Sequence, residues 1–119
     1  MTDSTWLKTS LLLSEIKECI KDDLAHTDAR NLPTMAVYVL AELYKRDGQR
    51  PFDLALKVGN STTSFSWIVN RLETAGFVER VMNKNDRRSS NVWLTAKGKQ
   101  LRVVIENAIG NAEVRYGGG

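Results

Sequence analysis

The chain opens with a stretch in which apolar residues recur every three or four positions. From Ser4 to Leu24 the spacings are three, four and seven, which is typical of one face of an amphipathic helix. This stripe comprises Trp6, Leu13, Ile16, Ile20 and Leu24, widened by Leu11 and Leu12. Asn31 and Pro33 then mark the start of a second helix, and Gly48 its predicted end. Its predicted core face is Ala36, Val39, Leu40 and Leu43.

A third and a fourth helix follow with only a turn between them. Pro51 can open the third helix, and Gly59 suits the left-handed residue that closes it. Ser61 is the predicted N-cap of the fourth. The core face of that fourth helix is Phe65, Ile68, Val69 and Leu72. Such a pair is the arrangement of a helix-turn-helix, although an ordinary helical hairpin would look similar.

After Gly76 the apolar period changes from that of a helix to that of a strand. The segments FVERVM and NVWLT both alternate, and a long polar connection at 83–90 joins them, which predicts a β-hairpin. In the first strand, Val78, Arg80 and Met82 lie on one face. In the second strand, Val92 and Leu94 lie on one face and Trp93 on the other. Thr95 then caps a last helix. The apolar stripe of that helix is Leu101, Val104, Ile105, Ala108 and Ala112.

The order helix, helix, helix-turn-helix, β-hairpin, helix is that of a winged helix. The predicted fold class is therefore mainly α with a small β-hairpin. Residues 31–95 would form the core, flanked by an N-terminal helix within 1–30, a C-terminal helix within 96–116 and a flexible tail at 117–119. The stripes of the two outer helices lie outside this core, so a homodimer interface is the expected place to bury them. Packing of the first helix on the last within one chain is the alternative for part of that surface.

Positive charge is concentrated around the hairpin. The chain has 119 residues, 42% of them hydrophobic, which fits one domain, and a formal net charge of +3. Between Glu79 and Arg102 seven residues are basic and two acidic, whereas residues 1–30 hold four basic and six acidic residues. A regional positive charge favours a polyanionic partner such as double-stranded DNA.

Several classes of protein find little support. A single cysteine, Cys19, allows no internal disulfide or zinc cluster and is typical of the cytoplasm; its interpretation is a small core or interface residue. We expect no membrane association, because no stretch approaches the roughly 20 apolar residues of a membrane span and no export signal is present. His26 alone could serve a nucleophilic triad, and no glycine-rich phosphate loop occurs, so neither an enzyme nor a bound cofactor is expected.

The segment from Leu54 to Gly98 strongly resembles the MarR family of bacterial transcription regulators. Members carry a run written LA..LG.S.ST.S..V..LE..G.V.R, followed by a wing reading D.R.....LT..G. The matching positions of the first motif are Ser61, Thr63, Ser64, Ser66, Val69, Arg71, Leu72, Glu73, Gly76, Val78 and Arg80. Those of the second are Asp86, Arg88, Leu94, Thr95 and Gly98.

The resemblance implies a dimeric repressor acting on a palindromic operator. The helix at 62–71 would enter the major groove and Arg88 the minor groove, with Asp86 holding the wing arginine by a charge-assisted hydrogen bond. A small-molecule effector could act by changing the separation of the two recognition helices, and nothing in the sequence indicates one.

The chain also departs from the family pattern. One helix is expected after the wing, where the family usually has two, so the dimer interface would be smaller or differently made. Asn60 takes a position that is normally apolar, and Pro51 one that is commonly threonine. Cys19 lies only 14 positions before Pro33, so peroxide sensing does not carry over.

The candidate DNA-binding residues lie on the fourth helix and on the wing. They are Thr62, Thr63, Ser64, Ser66, Trp67, Asn70 and Arg71 on the helix, and Lys84, Asp86, Arg87 and Arg88 on the wing. A helical wheel turns Thr63, Ser66, Trp67 and Asn70 outward and places Arg71 at the border. Asn70 could pair with adenine and Thr63 touch a thymine methyl, while Lys84 and Arg87 would contact phosphates. A merely solvated polar face is the plain alternative.

Trp67 is the least expected member of this set. The family typically has a polar or basic residue at its position, and an exposed tryptophan needs a partner. It could lie against deoxyribose or thymine methyls, against another protein, or in a packing arrangement that departs from the helical wheel. The competing hypothesis is therefore a winged-helix adaptor or subunit that docks on proteins through Trp67 and the outer helices.

Overall fold

Six helices and a two-stranded hairpin make up the described part of the chain. The computed structural model describes the backbone of residues 4–59 and 62–116, and the side chains of 11–59 and 65–116. The elements are α1 (Ser4–Leu24), α2 (Thr34–Lys45), α3 (Pro51–Val58), α4 (Thr62–Thr74), β1 (Val78–Met82), β2 (Ser90–Leu94), α5 (Ala96–Gln100) and α6 (Arg102–Tyr116). This order confirms the winged helix. The predicted N-cap Ser61, the Trp6 side chain and the tail 117–119 lie outside the described residues.

The boundaries of α2 and α3 follow from their proline and glycine residues, with one correction. Pro51 is the first residue of α3, and Gly59 closes it with a φ of 71°, as predicted. The prediction that Gly48 ends α2 was wrong, because α2 stops at Lys45 and Arg46 is already extended. Gly48, with a φ of 68°, instead belongs to the turn that leads into α3.

One hydrophobic core joins α1, α2, α3, α4 and α6 to the base of the hairpin. The predicted core positions of α4 are at most 4% exposed, and those of α2 are at most 1% exposed. All the core positions predicted for these two helices belong to this core, namely Ala36, Val39, Leu40, Leu43, Phe65, Ile68, Val69 and Leu72. Burying one face of α4 this completely leaves its opposite face as the only one available to a partner.

The hairpin has the predicted alternation. Its antiparallel register sets Val78 opposite Leu94 and Arg80 opposite Val92, so these four side chains share one face. At the base of the hairpin, Val78 and Val92 are buried, while the end near Met82 is exposed. The hairpin is thus anchored at one end and projects at the other.

The segment after the wing differs from the single helix that was predicted. Thr95 caps it as expected, accepting a hydrogen bond from the Gly98 amide at 3.1 Å. At Leu101 the backbone amide donates to the Gly98 carbonyl three residues back, a tighter turn that separates α5 from α6. A Cβ atom at Gly98 would collide with the Phe77 carbonyl oxygen, so this position must be glycine for α5 to approach the hairpin.

Tyr44 fastens α5 to α2. Its hydroxyl donates to the Gly98 carbonyl at 2.6 Å. Burial, and secondarily the carboxylate of Glu106, raise the pKa of Tyr44, so the hydroxyl stays protonated and remains a donor. The guanidinium of Arg102 lies 5.8 Å from the Tyr44 ring centre.

The two outer helices pack against each other within the chain. Ile20 and Leu24 of α1 are buried with Ile105 and Ala112 of α6 in the common core. The alternative stated for the outer stripes is therefore confirmed for part of their surface. Leu11 (58%), Leu12 (38%) and Leu13 (54%) of the α1 stripe stay exposed in the single chain, as do Val103 (68%) and Val114 (87%) of α6, which lie outside the predicted stripe.

Candidate nucleic-acid interface

The outward face of α4 carries the polar residues and the tryptophan that the helical wheel placed there. Ser66, Trp67 and Asn70 are all exposed, in contrast to the buried apolar face. Trp67 is 60% exposed, so its indole ring is available to a partner. The side chains of Thr62, Thr63 and Ser64 lie outside the described residues, although their backbone forms the first turn of α4.

Both α4 and the wing border one opening. A concavity of about 340 Å³ is lined by Ser66 and Val69 from α4, by Arg80 and Ser90 from the two strands, and by the start of α3. Surfaces that line the same concavity face each other across it. The recognition helix and the base of the wing are therefore presented on the same side of the molecule.

Arg80 connects these two elements directly. Its guanidinium donates to Asn70 Oδ1 at 2.7 Å and lies 3.9 Å from the Glu73 carboxylate. Reading adenine takes both the oxygen and the amide nitrogen of an asparagine. Because Asn70 Oδ1 already accepts a hydrogen bond from Arg80, Asn70 reads a base only by sharing that oxygen or releasing the arginine.

Arg80 was not among the predicted site residues. A signal was present in the sequence, because the strand period places Arg80 on the same face as Val78, next to the end of α4. A charged side chain on the core-facing side of a strand has to reach a polar partner. Asn70 and Glu73 supply that partner here.

Arg71 points to a different partner. Its guanidinium donates to the Asn31 carbonyl at 2.8 Å, which ties α4 to the turn before α2. The border position predicted for Arg71 agrees with this contact. The structure does not bring Arg71 to the concavity that α4 shares with the wing, so its observed contact orients α4 within the protein.

The wing tip is a tight loop closed by its own polar groups. The Asn83 amide donates to the Ser89 carbonyl at 3.0 Å, and Asn83 Nδ2 donates to Ser89 Oγ at 2.7 Å. Asp86 Oδ1 accepts from the backbone amide of Arg88 at 3.0 Å. Asp86 therefore holds Arg88 by a charge-assisted hydrogen bond to its backbone amide, and so orients the loop rather than the guanidinium.

The cations of the wing are exposed. Lys84, Arg87 and Arg88 all lie on the surface of the loop. The ion pairs among the described side chains are Glu42 with Lys45, Glu73 with Arg80, and Glu106 with Arg102, and none includes a wing cation. Their charge is therefore not neutralised by a salt bridge within that part of the chain.

Arg50 is a second residue that sequence reasoning missed. It is exposed, directly precedes α3, and lines a concavity of about 290 Å³ together with Lys84, Asn85 and Asp86 of the wing. Only its position next to Pro51, at the start of the helix-turn-helix, could have suggested a role. Its placement extends the basic surface from the wing toward α3.

Other chemistry is sparse in residues 11–59 and 65–116. No group of three histidine, cysteine or acidic side chains there could hold a metal ion. Cys19 is buried, as expected of a small core residue, and His26 is exposed in the turn after α1. A search of the described helices finds none with the length and apolar character needed to cross a membrane.

The sequence model of the MarR family matches residues 30–89, about half of the chain. The chain belongs to the MarR family. The match covers α2, α3, α4, β1 and the loop at the tip of the wing.

The chain is also similar to individual transcription regulators. The chain is 33% identical over 93 residues, 78% of its length, to the HTH-type transcriptional regulator YfiV of Bacillus subtilis, and spans 53% of that protein. It is 39% identical over 57 residues, 47% of its length, to the transcriptional repressor MprA of Escherichia coli K12, and spans 32% of it. The chain thus spans about half or less of the curated relatives it matches.

The fold agrees as well. The crystal structure of a MarR transcriptional regulator from Methanosarcina mazei Go1 superposes with a TM-score of 0.80 at 22% identity. The superposition covers 97% of this chain and 81% of the other. At this identity the likeness concerns the fold, and it includes the outer helices as well as the winged core.

Proposed function

We propose that this MarR-family chain is a sequence-specific regulator of transcription that binds double-stranded DNA in the cytoplasm and represses a promoter. The observation that carries the proposal is that α4 and the base of the wing line one concavity, with Arg80 joining the two, while the wing tip carries exposed cations. A duplex offers adjacent grooves and phosphates, and these elements offer a helix, a hairpin and cations.

Each of these elements has a distinct role in the proposed complex. The α4 helix enters the major groove and presents Thr62, Thr63, Ser64, Ser66, Trp67 and Asn70 to the bases and the adjoining backbone. Arg88 enters the minor groove, where a narrow A·T tract has the most negative potential. Lys84, Arg87 and Arg50 contact phosphates, which makes the affinity fall steeply with salt.

A symmetric dimer completes the proposal. Leu11, Leu13 and Val114 are each more than half exposed in the single chain, and helices with such apolar positions are commonly covered by a second copy. A two-fold dimer would place two recognition helices about one turn of DNA apart, on a palindromic operator. Sedimentation analysis of Leu11→Asp should show monomers, whereas Val81→Asp, an equivalent change on the exposed side of the wing, should leave the dimer intact.

The decisive experiment is selection of bound sequences from random duplex DNA. The proposal predicts enrichment of a palindrome by the wild-type protein and weaker enrichment with Arg88→Ala. A protein that retains no duplex above the background of an unrelated acidic protein would contradict the proposal.

The exposed indole of Trp67 supports a second candidate function, an adaptor that docks on another protein. Here Trp67→Ala would abolish binding of a partner whose affinity does not depend on salt, and Arg88→Ala would have no effect. Under the DNA-binding proposal Arg88→Ala weakens binding more than Trp67→Ala does. The loss of affinity with Arg88→Ala is then accompanied by a reduced dependence of the affinity on salt.

A small-molecule effector has one suitable place in the described residues. A cleft of about 640 Å³ lies between α1, α2 and α3, with apolar walls that include Ile16, Met35 and Tyr38 and with Lys17, Glu42 and Lys57 among its polar lining residues. Apolar walls with the ammonium group of Lys17 suit an aromatic carboxylate. Benzoate in the millimolar range should raise the melting temperature of the wild type and leave that of Lys17→Glu unchanged; equal shifts would exclude this cleft.

A further inference from the structure

Strand β2 is hydrogen-bonded to β1 on one side and to the turn between α2 and α3 on the other. We define this turn as residues 47–49, the hinge turn. The Val92 amide in β2 donates to the Gln49 carbonyl at 2.8 Å, which makes an isolated bridge between the two segments. The hairpin therefore gains a third backbone segment at its base, on the side away from β1.

Two side chains strengthen this attachment on either side of Val92. Asp47 Oδ1 accepts from its neighbour Gly48 and from the Leu94 amide, both at 2.9 Å. Asn91 Nδ2 donates to the Gly48 carbonyl at 2.8 Å. The hinge turn is thus hydrogen-bonded to three residues of β2, namely Asn91, Val92 and Leu94.

Trp93 closes the same contact from the outer face of the hairpin. A Cβ atom built on Gly48 would lie 2.5 Å from the Trp93 ring, so the indole packs directly on the glycine backbone. The hinge turn thus meets β2 through both hydrogen bonds and an aromatic ring.

The hinge turn is in turn fixed to the helices by Gln49. This side chain is only 5% exposed. Its Nε2 donates to the carbonyls of Glu42 and Arg46 at 3.0 and 2.6 Å, and its Oε1 accepts from Lys57 at 2.5 Å. A buried amide with all these partners is costly to displace, so the turn has one position relative to α2 and α3.

We propose that Asp47 and Gln49 are positioning residues that set the direction of the wing relative to α4 and so determine where Arg88 lies. The inference rests on the DNA-binding function proposed above. The wing tip lies several residues beyond the contacts with the hinge turn. With about 3.3 Å per residue, a tilt of about 10° at the base moves the tip by roughly 3 Å. A displacement of that size removes an arginine from a narrow groove.

The test compares Asp47→Ala with Asp47→Asn, because the asparagine oxygen can still accept both amide protons. Hydrogen exchange on the free protein comes first. Loss of protection of the Leu94 amide in Asp47→Ala, with protection retained in Asp47→Asn, is the expected result. Unchanged protection in Asp47→Ala would overturn the inference whether or not the protein binds DNA.

DNA binding supplies the second arm, with the duplex obtained by selection as the probe. Asp47→Ala should weaken binding about tenfold and Asp47→Asn less than threefold, as expected for losing or keeping hydrogen bonds to a charged group. In the Arg88→Ala background the effect of Asp47→Ala should shrink below twofold, because the wing has then lost its groove contact. If the losses of affinity caused by Asp47→Ala and Arg88→Ala instead multiply in the double variant, the positioning role is refuted. Asn91→Ala provides an independent variant if Asp47→Ala folds poorly, and the same loss of coupling is expected for it.

The two proposals fail in different ways. If no variant, including the wild type, binds the duplex, the DNA-binding function is wrong, while hydrogen exchange still decides whether Asp47 holds the wing. If the wild type binds and Arg88→Ala weakens it, but Asp47→Ala binds as the wild type does, the positioning role alone is overturned.

Discussion

Helix α4 and the wing differ in which of their polar groups are fixed by hydrogen bonds within the protein. On α4 and beside it, the arginines are engaged with the protein, since Arg71 donates to Asn31 and Arg80 donates to Asn70. On the wing, hydrogen bonds of Asn83 and Asp86 instead fix the loop itself, and the cationic side chains extend from that frame.

This difference separates two kinds of preorganisation. Near α4 the side chains themselves are oriented before DNA arrives, which favours a defined pattern of contacts with bases. On the wing only the loop is oriented, and each long side chain is free to adjust to the groove of the proposed complex. We therefore expect wing variants to change affinity most, and variants near α4 to change which sequence is preferred.

The largest effect is expected for Arg88→Ala. Removing one arginine from a minor groove should weaken binding of the selected duplex roughly 10- to 100-fold, in line with 1–3 kcal/mol for a good groove contact. Fluorescence anisotropy with labelled duplex measures it. Lys99→Ala is the matched control, because Lys99 is an exposed cation on α5, outside both α4 and the wing. Equal losses from both changes would mean that only total charge matters.

A smaller and more specific effect is expected where α4 meets the wing. Arg80→Ala should weaken binding about tenfold, and Asn70→Ala less, because Asn70 acts partly by holding Arg80. In the Arg80→Ala background, Asn70→Ala should change the preferred bases with little further loss of affinity. Measured on a panel of single-base variants of the duplex, independent effects of the two substitutions would break the proposed link.

The smallest effect is expected for Arg71→Ala. The bond to the Asn31 carbonyl is exposed, so its loss should cost about 0.5–1 kcal/mol of unfolding free energy and lower the melting temperature by a few degrees. DNA affinity should fall no more than about threefold. Thermal denaturation monitored by circular dichroism gives the first quantity. A loss of affinity as large as that of Arg88→Ala, at unchanged stability, would place Arg71 on the DNA instead.

The architecture could be predicted well from the sequence, because the helices and the hairpin follow from the local periodicity of apolar residues. The apolar spacing in α4 and the alternation in the hairpin determine which faces are buried, and Pro51 and Gly59 determine the ends of α3 by their own backbone preferences. The end of α2 was misplaced, because Gly48 is needed for a turn that packs under Trp93 and not for a helix cap. Only the contact across 45 residues of sequence reveals that need.

The candidate site was harder to predict than the fold. Which residues face outward on α4 follows from a helical wheel, and the exposure of Ser66, Trp67 and Asn70 agrees with it. Hydrogen-bond partners between elements do not follow from any local pattern. The bond from Arg80 to Asn70, and the choice by Asp86 of a backbone amide over a guanidinium, depend on distances that only the folded chain sets.

The claim that α4 and the wing grip adjacent grooves from one side is tested most directly by hydroxyl-radical footprinting of the selected duplex. Wild-type protein should protect the minor-groove backbone that flanks the major-groove site, and Arg88→Ala should lose the flanking protection while keeping the central one. Identical footprints for the two proteins, or no flanking protection by the wild type, would contradict the account.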